Sequence, residues 1–361
     1  MQQRCKHRGC SLLFRNKKVL GLDIGTSSIK LVELDVKKTG VVLNRFAMLQ
    51  TPDISMAGGE IVDLQPIVSV VQRLIQEVKS NRKNACVGLW GSSVIVKKIS
   101  IPKMDLKLVP DQVRWEAEQY IPFDISDVNL DYSILDSSKE SDVLELLLVA
   151  ARHEQILKFV EITESSGLNC SHLDINGFAL ANCFLKNYSV QSEDVVAVLN
   201  IGAQYTNFIV LKGKNLIFCR DIPVGGVIYT ADVQKTMGIS LPEAESLKLS
   251  ASSQEAVPEE VAQVIQSSHE IFCDEIQGSL DFFHNTTPGT TVSKCYVTGG
   301  GSRTPGLIEY MSQALQMPCE PLNPFAKIKY NEKVFNSEYI DQISDFAPVV
   351  LGLGLRSVGD E

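Results

Sequence analysis

The sequence predicts an α/β protein built from two related halves that face each other across a cleft. In the stretch Val19–Leu34, an apolar run ends on Asp23, a turn of glycine and hydroxyl residues follows, and a second apolar run begins. This pattern predicts a strand, a tight turn and a second strand. The stretch Leu199–Leu211 repeats Leu22–Leu34 at a constant offset of 177 residues. A repeat of this kind indicates a duplicated structural unit.

The turn of the first hairpin is suited to bind phosphate. Its glycine lets the backbone approach a bulky anion, its hydroxyl and N–H groups can donate hydrogen bonds to phosphate oxygens, and a lysine adds positive charge. Asp23 is placed to hold a magnesium ion, directly or through water, because this metal prefers oxygen ligands. Taken alone, the stretch is equally typical of an ordinary hairpin with a hydroxyl-rich turn. The candidate residues are Asp23, Gly25, Thr26, Ser27, Ser28 and Lys30.

The second hairpin and a later glycine cluster extend this prediction. Asn200 takes the place of Asp23, and Gly202 takes the place of Gly25. Two such hairpins on opposite sides of a cleft would hold one phosphate chain between them. The glycine cluster Val297–Arg303 lies between a predicted strand and a predicted helix, where bare backbone can lie flat against a nucleoside or phosphate. The candidates here are Asn200, Gly202, Ala203, Gln204, Gly299, Gly300, Gly301 and Ser302.

The ordered set of these motifs, ending with Ala347–Gly352, resembles the actin, Hsp70 and sugar-kinase ATPase superfamily. Within it, further segments resemble the PilM family of actin-like type IV pilus assembly proteins. The resemblance implies an actin-like ATPase fold, with two α/β domains around a nucleotide cleft and with ATP and magnesium as cofactors. The segments that carry the PilM resemblance are Trp115–Phe123, Asn129–Leu135, Leu147–Arg152 and Asp174–Leu180.

The resemblance also implies roles for residues outside the turns. Glu245 and Lys248, three apart on the predicted helix Leu241–Leu249, correspond to a pair that contacts adenine and ribose; the alternative is a surface ion pair. Asn176 stands where many relatives have a glutamate that orients the attacking water. Asn200 stands where the family has aspartate, which removes a negative charge and a proton acceptor. We therefore expect weak or no ATPase activity.

The superfamily resemblance predicts how the chain divides into subdomains named 1A, 1C, 2A and 2B. Subdomain 1C is the insert that the PilM family shares with the cell-division protein FtsA. Its predicted order is helix, strand, strand and helix. The predicted ranges are a basic leader at 1–18, subdomain 1A at 19–103, 171–192 and 345–361, subdomain 1C at 104–170, subdomain 2A at 193–227 and 290–344, and subdomain 2B at 228–289.

The PilM resemblance implies a binding module rather than an enzyme. In that family a groove between subdomains 1A and 1C takes the cytoplasmic N-terminal tail of PilN, an inner-membrane protein. The expected location is therefore cytoplasmic and peripheral at the inner membrane, with pilus motor ATPases as further partners. Two alternatives stay open at this point. One is an FtsA-like membrane-associated filament protein of cell division, and the other is a small-molecule kinase of the same superfamily.

Composition narrows the class of protein further. The chain has 361 residues with 44% hydrophobic residues and a net charge of −9, and six of its 34 basic side chains lie in residues 1–18, which hold no acid. The acidic remainder argues against nucleic acid as a partner. The nine cysteines are scattered, with no Cys-x-x-Cys pair, as in reduced cytosolic proteins. The basic leader is predicted to be disordered; contact with anionic lipid or an acidic neighbour is the alternative.

Overall fold

A computed structural model describes residues 18–136, 142–252 and 257–357. The predicted leader lies outside the described residues except for Lys18, which pairs with Asp35. No helix in the described ranges is long and apolar enough to cross a membrane. The α-helices are α1 Leu64–Val78, α2 Val109–Ala117, α3 His153–Ser165, α4 Asn176–Asn187, α5 Val227–Met237, α6 Leu241–Ser252, α7 Glu259–Thr286, α8 Leu307–Ala314, α9 Ser337–Ser344 and α10 Pro348–Gly354.

The strands form two large sheets, one three-stranded sheet and one short ribbon. They are β1 Leu20–Ile24, β2 Ser28–Lys37, β3 Gly40–Gln50, β4 Met56–Ala57, β5 Glu60–Ile61, β6 Asn84–Leu89, β7 Val94–Pro102, β8 Val128–Asp136, β9 Val143–Arg152, β10 Asn169–Ile175, β11 Val195–Ile201, β12 Thr206–Lys212, β13 Asn215–Ile222, β14 Lys294–Thr298, β15 Cys319–Pro321 and β16 Ile328–Tyr330.

The two large sheets share a five-stranded topology, to which the first sheet adds β16 beside β3. The first has the order β10-β6-β1-β2-β3-β16 and the second the order β13-β12-β11-β14-β15. In each, three consecutive strands pair antiparallel as a meander, and two later strands add in parallel beside the first of them. The strands β1 and β11 therefore hold corresponding positions in the two sheets, and the predicted duplication is confirmed at the level of the fold.

Helix α1 shows how the local sequence begins, ends and buries a helix. The side chain of Asp63 accepts a hydrogen bond from the backbone N–H of Gln65 at 3.1 Å, which caps the first turn. The helix ends where Lys79 adopts a left-handed backbone conformation with φ 48°. Its apolar residues recur at helical spacing and form one stripe, which is buried against the first sheet. The buried stripe is Ile67, Val68, Val70, Val71, Leu74 and Val78.

The sheet pairing differs from the sequence prediction at Val94–Ile99. The predicted range 19–103 for subdomain 1A places these residues with the first hairpin, but β7 pairs with β9 in a separate sheet of order β7-β9-β8. The side chains of β7, α2, β8 and β9 share one small core. Helix α3 instead buries Phe159 and Ile162 in the core of the first sheet. The compact insert therefore contains β7 and lacks α3, so its observed extent differs from the predicted range of residues 104–170.

A second difference concerns residues 323–344, which we expected in subdomain 2A. Strand β16 pairs in parallel with β3, at the edge of the first sheet. Ile328, Phe335 and Ile340 pack in a core with Leu43 and Val350. Pairing and burial thus place this segment with the first half, because its apolar side chains find their partners there.

Candidate nucleotide-binding site

The first hairpin forms the predicted tight turn between β1 and β2. The N–H of Gly25 donates to the carbonyl of Ser28 at 3.1 Å, and the hydroxyl of Thr51, on the neighbouring loop, donates to the carbonyl of Gly25 at 2.7 Å. Between Gly25 and Ser28, Thr26 is half-buried and Ser27 is exposed. The turn is therefore held by its own backbone and by Thr51, while its hydroxyl-rich tip faces outward.

Asp23 and Lys30 face each other across this hairpin. The two residues are paired in the register of β1 and β2, and Lys30 Nζ lies 2.9 Å from Asp23 Oδ2. Both residues are buried, at 5% and 8% exposure. Lys30 Nζ also donates to the carbonyl of Ser28 at 3.2 Å. An ammonium has three hydrogens, so one remains for a further acceptor at the turn.

The second hairpin repeats this geometry with different chemistry. The N–H of Gly202 donates to the carbonyl of Tyr205 at 2.9 Å, as Gly25 does to Ser28. Asn200 is paired in register with Asn207, and its Nδ2 donates to Asn207 Oδ1 at 2.7 Å. A pair of amides therefore replaces the ion pair of the first hairpin.

The amide pair continues into a buried carboxylate. Asn207 Nδ2 donates to Asp221 Oδ1 at 2.6 Å, and Asp221 Oδ2 accepts from the N–H of Gly91 at 2.7 Å. Burial raises the pKa of the Asp221 carboxyl, and the hydrogen bonds from Asn207 and Gly91 oppose that rise. Asp221 lies on β13 and Gly91 follows β6, so this hydrogen bond joins the two halves.

Trp90 lies between the two hairpins. Its Nε1 donates to the carbonyl of Ile24, at the end of β1, at 2.7 Å. Its ring lies 5.5 Å from the ring of Tyr205, in the turn of the second hairpin. The two turns therefore flank one side chain, which is 4% exposed. The two hairpins therefore lie on either side of Trp90.

The later candidate residues gather around the second turn. The backbone N–H groups of Gly226 and Val227 donate to the carbonyls of Gly202 and Ala203 at 2.9 and 2.8 Å. A Cβ on Gly225 would lie 2.6 Å from both of these carbonyl oxygens, so only glycine allows this approach. On the other side, a Cβ on Gly226 would lie 3.5 Å from Cα of Gly301. The glycine cluster and the second turn therefore form one continuous backbone surface.

Glu245 and Lys248 lie beside this surface. Lys248 Nζ is 2.7 Å from Glu245 Oε2, 2.9 Å from Thr230 Oγ1 and 3.3 Å from the carbonyl of Gly226. Thr230 also donates to Glu245. Lys248 is buried, whereas the Glu245 side chain is 43% exposed. The two residues are thus neighbours of the glycine backbone as well as an ion pair.

Other candidates have distinct settings. Ser302 Oγ donates to the carbonyl of Gly299 at 2.6 Å, inside the turn, and Gly300 lies against the ring of Phe346. Gln204 faces Gly59, on a loop of the first half. Asn176 begins α4, with its Oδ1 buried against Gly88 and without a hydrogen-bond partner among the described residues.

The duplicated sheets, with one hairpin from each in contact with Trp90, define a protein of the actin-like ATPase fold. Ethanolamine utilization protein EutJ from Carboxydothermus hydrogenoformans is similar, with a TM-score of 0.59 and 15% identity over 93% of this chain and 89% of that chain. The model of the family "Type IV pilus assembly protein PilM" matches residues 21–358, so the chain belongs to the PilM family.

A solved PilM-PilN type IV pilus biogenesis complex is also similar. It has a TM-score of 0.86 and 29% identity, and the match covers 95% of this chain and 99% of that chain. The predicted family and the predicted fold are therefore confirmed. Membership in this family favours a role in pilus assembly over the cell-division filament protein and the small-molecule kinase.

Proposed function

We propose that this protein is an ATP-binding adaptor of type IV pilus assembly that binds the cytoplasmic N-terminal tail of PilN. The observation that carries the nucleotide site is Trp90, which contacts the first hairpin through Ile24 and the second through Tyr205. A triphosphate between the hairpins would contact both halves. Binding would then favour one angle between them, because a ligand stabilises the conformation in which it makes the most contacts.

The chemistry of the cleft residues fits a phosphate chain with magnesium. Lys30 keeps one hydrogen for a phosphate oxygen, and Asp23 and Asn200 carry oxygens at corresponding positions of the two hairpins. Magnesium would neutralise charge on the phosphates. In this assignment Asp23 holds the ion through water, since its Oδ2 already accepts from Lys30.

For the nucleoside part of ATP, we propose that Glu245 and Lys248 contact ribose and adenine beside Gly226 and Gly299–Gly301. The glycine backbone supplies a flat surface without side chains, and Lys248 lies 3.3 Å from the carbonyl of Gly226. Glu245 presents a partly exposed carboxylate that can accept from hydroxyl groups of a sugar.

We propose that the PilN tail binds in the groove between the first sheet and the insert formed by β7, α2, β8 and β9, which corresponds to subdomain 1C. The choice of PilN as the partner is supported by the similarity to a solved PilM-PilN complex at 29% identity. The insert also exposes several apolar side chains, of which Trp115 is the most unusual at 60% exposure; the others are Leu106, Leu108 and Tyr120. Through this partner the protein would lie at the cytoplasmic face of the inner membrane, within reach of pilus motor ATPases.

Calorimetry on the full chain tests both halves of the proposal. We expect ATP with magnesium to bind with a stoichiometry of one, and a synthetic peptide of the PilN tail to bind, whereas a scrambled peptide does not. Lys30→Ala should abolish ATP binding, whereas the matched control Lys38→Ala, at an exposed turn residue, should not. Normal ATP binding by Lys30→Ala would refute the site, and failure of the tail peptide to bind would refute the adaptor.

A further inference from the structure

Asp221 belongs to neither predicted hairpin turn nor to the glycine cluster, yet a series of side-chain hydrogen bonds that begins at Asn200 leads to it. The series runs from Asn200 to Asn207, then to Asp221, and then to the backbone N–H of Gly91. Each link is between 2.6 and 2.7 Å. The direction from donor to acceptor is fixed at Asp221, because an ionised carboxylate only accepts hydrogen bonds.

The orientation of both amides follows from that end. Asn207 must turn its NH₂ group towards Asp221, which leaves its Oδ1 facing Asn200. Asn200 must then turn its own NH₂ group towards Asn207. Its Oδ1 is consequently directed away from Asn207 as an acceptor, which is what a water molecule on magnesium requires.

We infer that Asp221 is a positioning residue that keeps the oxygen of Asn200, rather than its NH₂ group, turned towards the nucleotide cleft. This inference rests on the proposed nucleotide site. Asp221 also accepts from the N–H of Gly91, so the same carboxylate contacts the first half.

Asp221→Asn exchanges donor and acceptor in both side-chain hydrogen bonds of this series. Gly91 N–H still needs an acceptor, so the new amide turns its oxygen to Gly91 and its NH₂ group to Asn207. Asn207 then turns its NH₂ group to Asn200, and Asn200 turns its NH₂ group to the cleft. A donor would face the metal in place of an acceptor. We expect the increase in ATP affinity that magnesium gives to fall by about 10–100-fold, as for other residues that orient metal ligands.

The double variant Asp221→Asn with Asn200→Asp supplies the rescue. The negative charge moves from position 221 to position 200, and every hydrogen bond of the series keeps a donor and an acceptor. A carboxylate at position 200 presents oxygen to the cleft in either orientation. We expect the magnesium effect to return to the wild-type level or above. Asn207→Ala breaks the series without reversing it, so Asn200 can rotate freely and the loss should be smaller than in Asp221→Asn.

The test compares the ATP affinity of the 361-residue chain in magnesium and in EDTA for the wild type and these three variants. Affinity in EDTA should change little in Asp221→Asn, and exchange of the Gly91 amide in nucleotide-free protein should stay slow. A full magnesium effect in Asp221→Asn, or a failure of the double variant to restore it, overturns the inference alone. If Asp221→Asn does not fold, a full magnesium effect in Asn207→Ala overturns it. Absence of ATP binding by the wild type overturns the proposed function and the inference together.

Discussion

Asn200 and Asn207 form a 2.7 Å hydrogen bond at the positions that Asp23 and Lys30 occupy in the first hairpin. Each asparagine follows its counterpart by 177 residues, and both pairs are in register across an antiparallel hairpin. The duplication has therefore kept the backbone of both turns, whereas the side chains differ in charge. The first hairpin supplies an anion and a cation, and the second supplies neutral amides.

The buried pair of the first hairpin gives a prediction about stability. Lys30→Asn leaves the carboxylate of Asp23, which is 5% exposed, without its cation, and breaking a buried pair in this way costs about 3–5 kcal/mol. Asp23→Asn with Lys30→Asn copies the amide pair of the second hairpin. We expect the double variant to recover most of the free energy of unfolding and none of the ATP affinity. Denaturant unfolding and calorimetry on the same samples check this, and equal stability of the single and double variants would contradict it.

The amide at position 200 predicts slow chemistry. A general base typically contributes about 10²–10⁴-fold to a rate, and neither Asn200 nor Asn176 has a carboxylate to accept the proton of an attacking water. We expect single-turnover hydrolysis of bound ATP by the wild type to be slow or undetectable. Rapid release of phosphate by the wild type would show that another group activates the water.

Much of the fold and part of the site are predictable from the sequence, because the duplication is visible as a constant offset. The same offset aligns Lys30 with Asn207, so the pairing of Asn200 with Asn207 can also be predicted from the repeat. The sheet of β7 was not, because Val94 pairs with Ala151, and the periodicity of a strand does not identify a partner more than fifty residues away. Trp90 and Asp221 were missed for a related reason, since their contacts depend on how one half packs on the other.

Trp90 provides a spectroscopic prediction about the cleft. The chain has two tryptophans, and they differ in environment, with Trp90 at 4% exposure and Trp115 at 60%. In Trp115→Phe the remaining emission should come from a buried indole that acrylamide quenches poorly. Because Trp90 contacts both hairpins, we expect ATP with magnesium to change its emission. An emission spectrum that ATP leaves unchanged in Trp115→Phe, under conditions where calorimetry shows binding, would place the nucleotide elsewhere.

A buried histidine gives a prediction about pH. His269 is fully buried, and its Nε2 lies 3.0 Å from the carbonyl of Pro305, which can only accept, so Nε2 carries the hydrogen. Nδ1 then accepts from the hydroxyl of Tyr229 at 3.0 Å. Burial lowers the pKa of His269, and the Pro305 carbonyl and Glu309 oppose that shift.

The sign of the effect follows from proton binding. In the unfolded chain His269 binds a proton near the ordinary pKa of about 6.5, whereas the folded protein binds it only at lower pH. Between these two values the unfolded state holds more protons, so the free energy of unfolding rises with pH. The contribution of the neutral imidazole is complete above about pH 6.5 and is lost as the pH falls towards the folded pKa, by about 1.4 kcal/mol for each unit of lowering.

His269→Gln isolates this contribution, because glutamine can still donate to Pro305 and accept from Tyr229 but does not titrate. We expect the variant to be less stable than the wild type at about pH 8, where the imidazole of His269 is neutral in both the folded and the unfolded protein. On acidification to about pH 5, we expect the variant to lose less stability than the wild type. Denaturant unfolding at both pH values measures the two differences. Parallel losses in wild type and variant would show that acid sensitivity arises from groups other than His269.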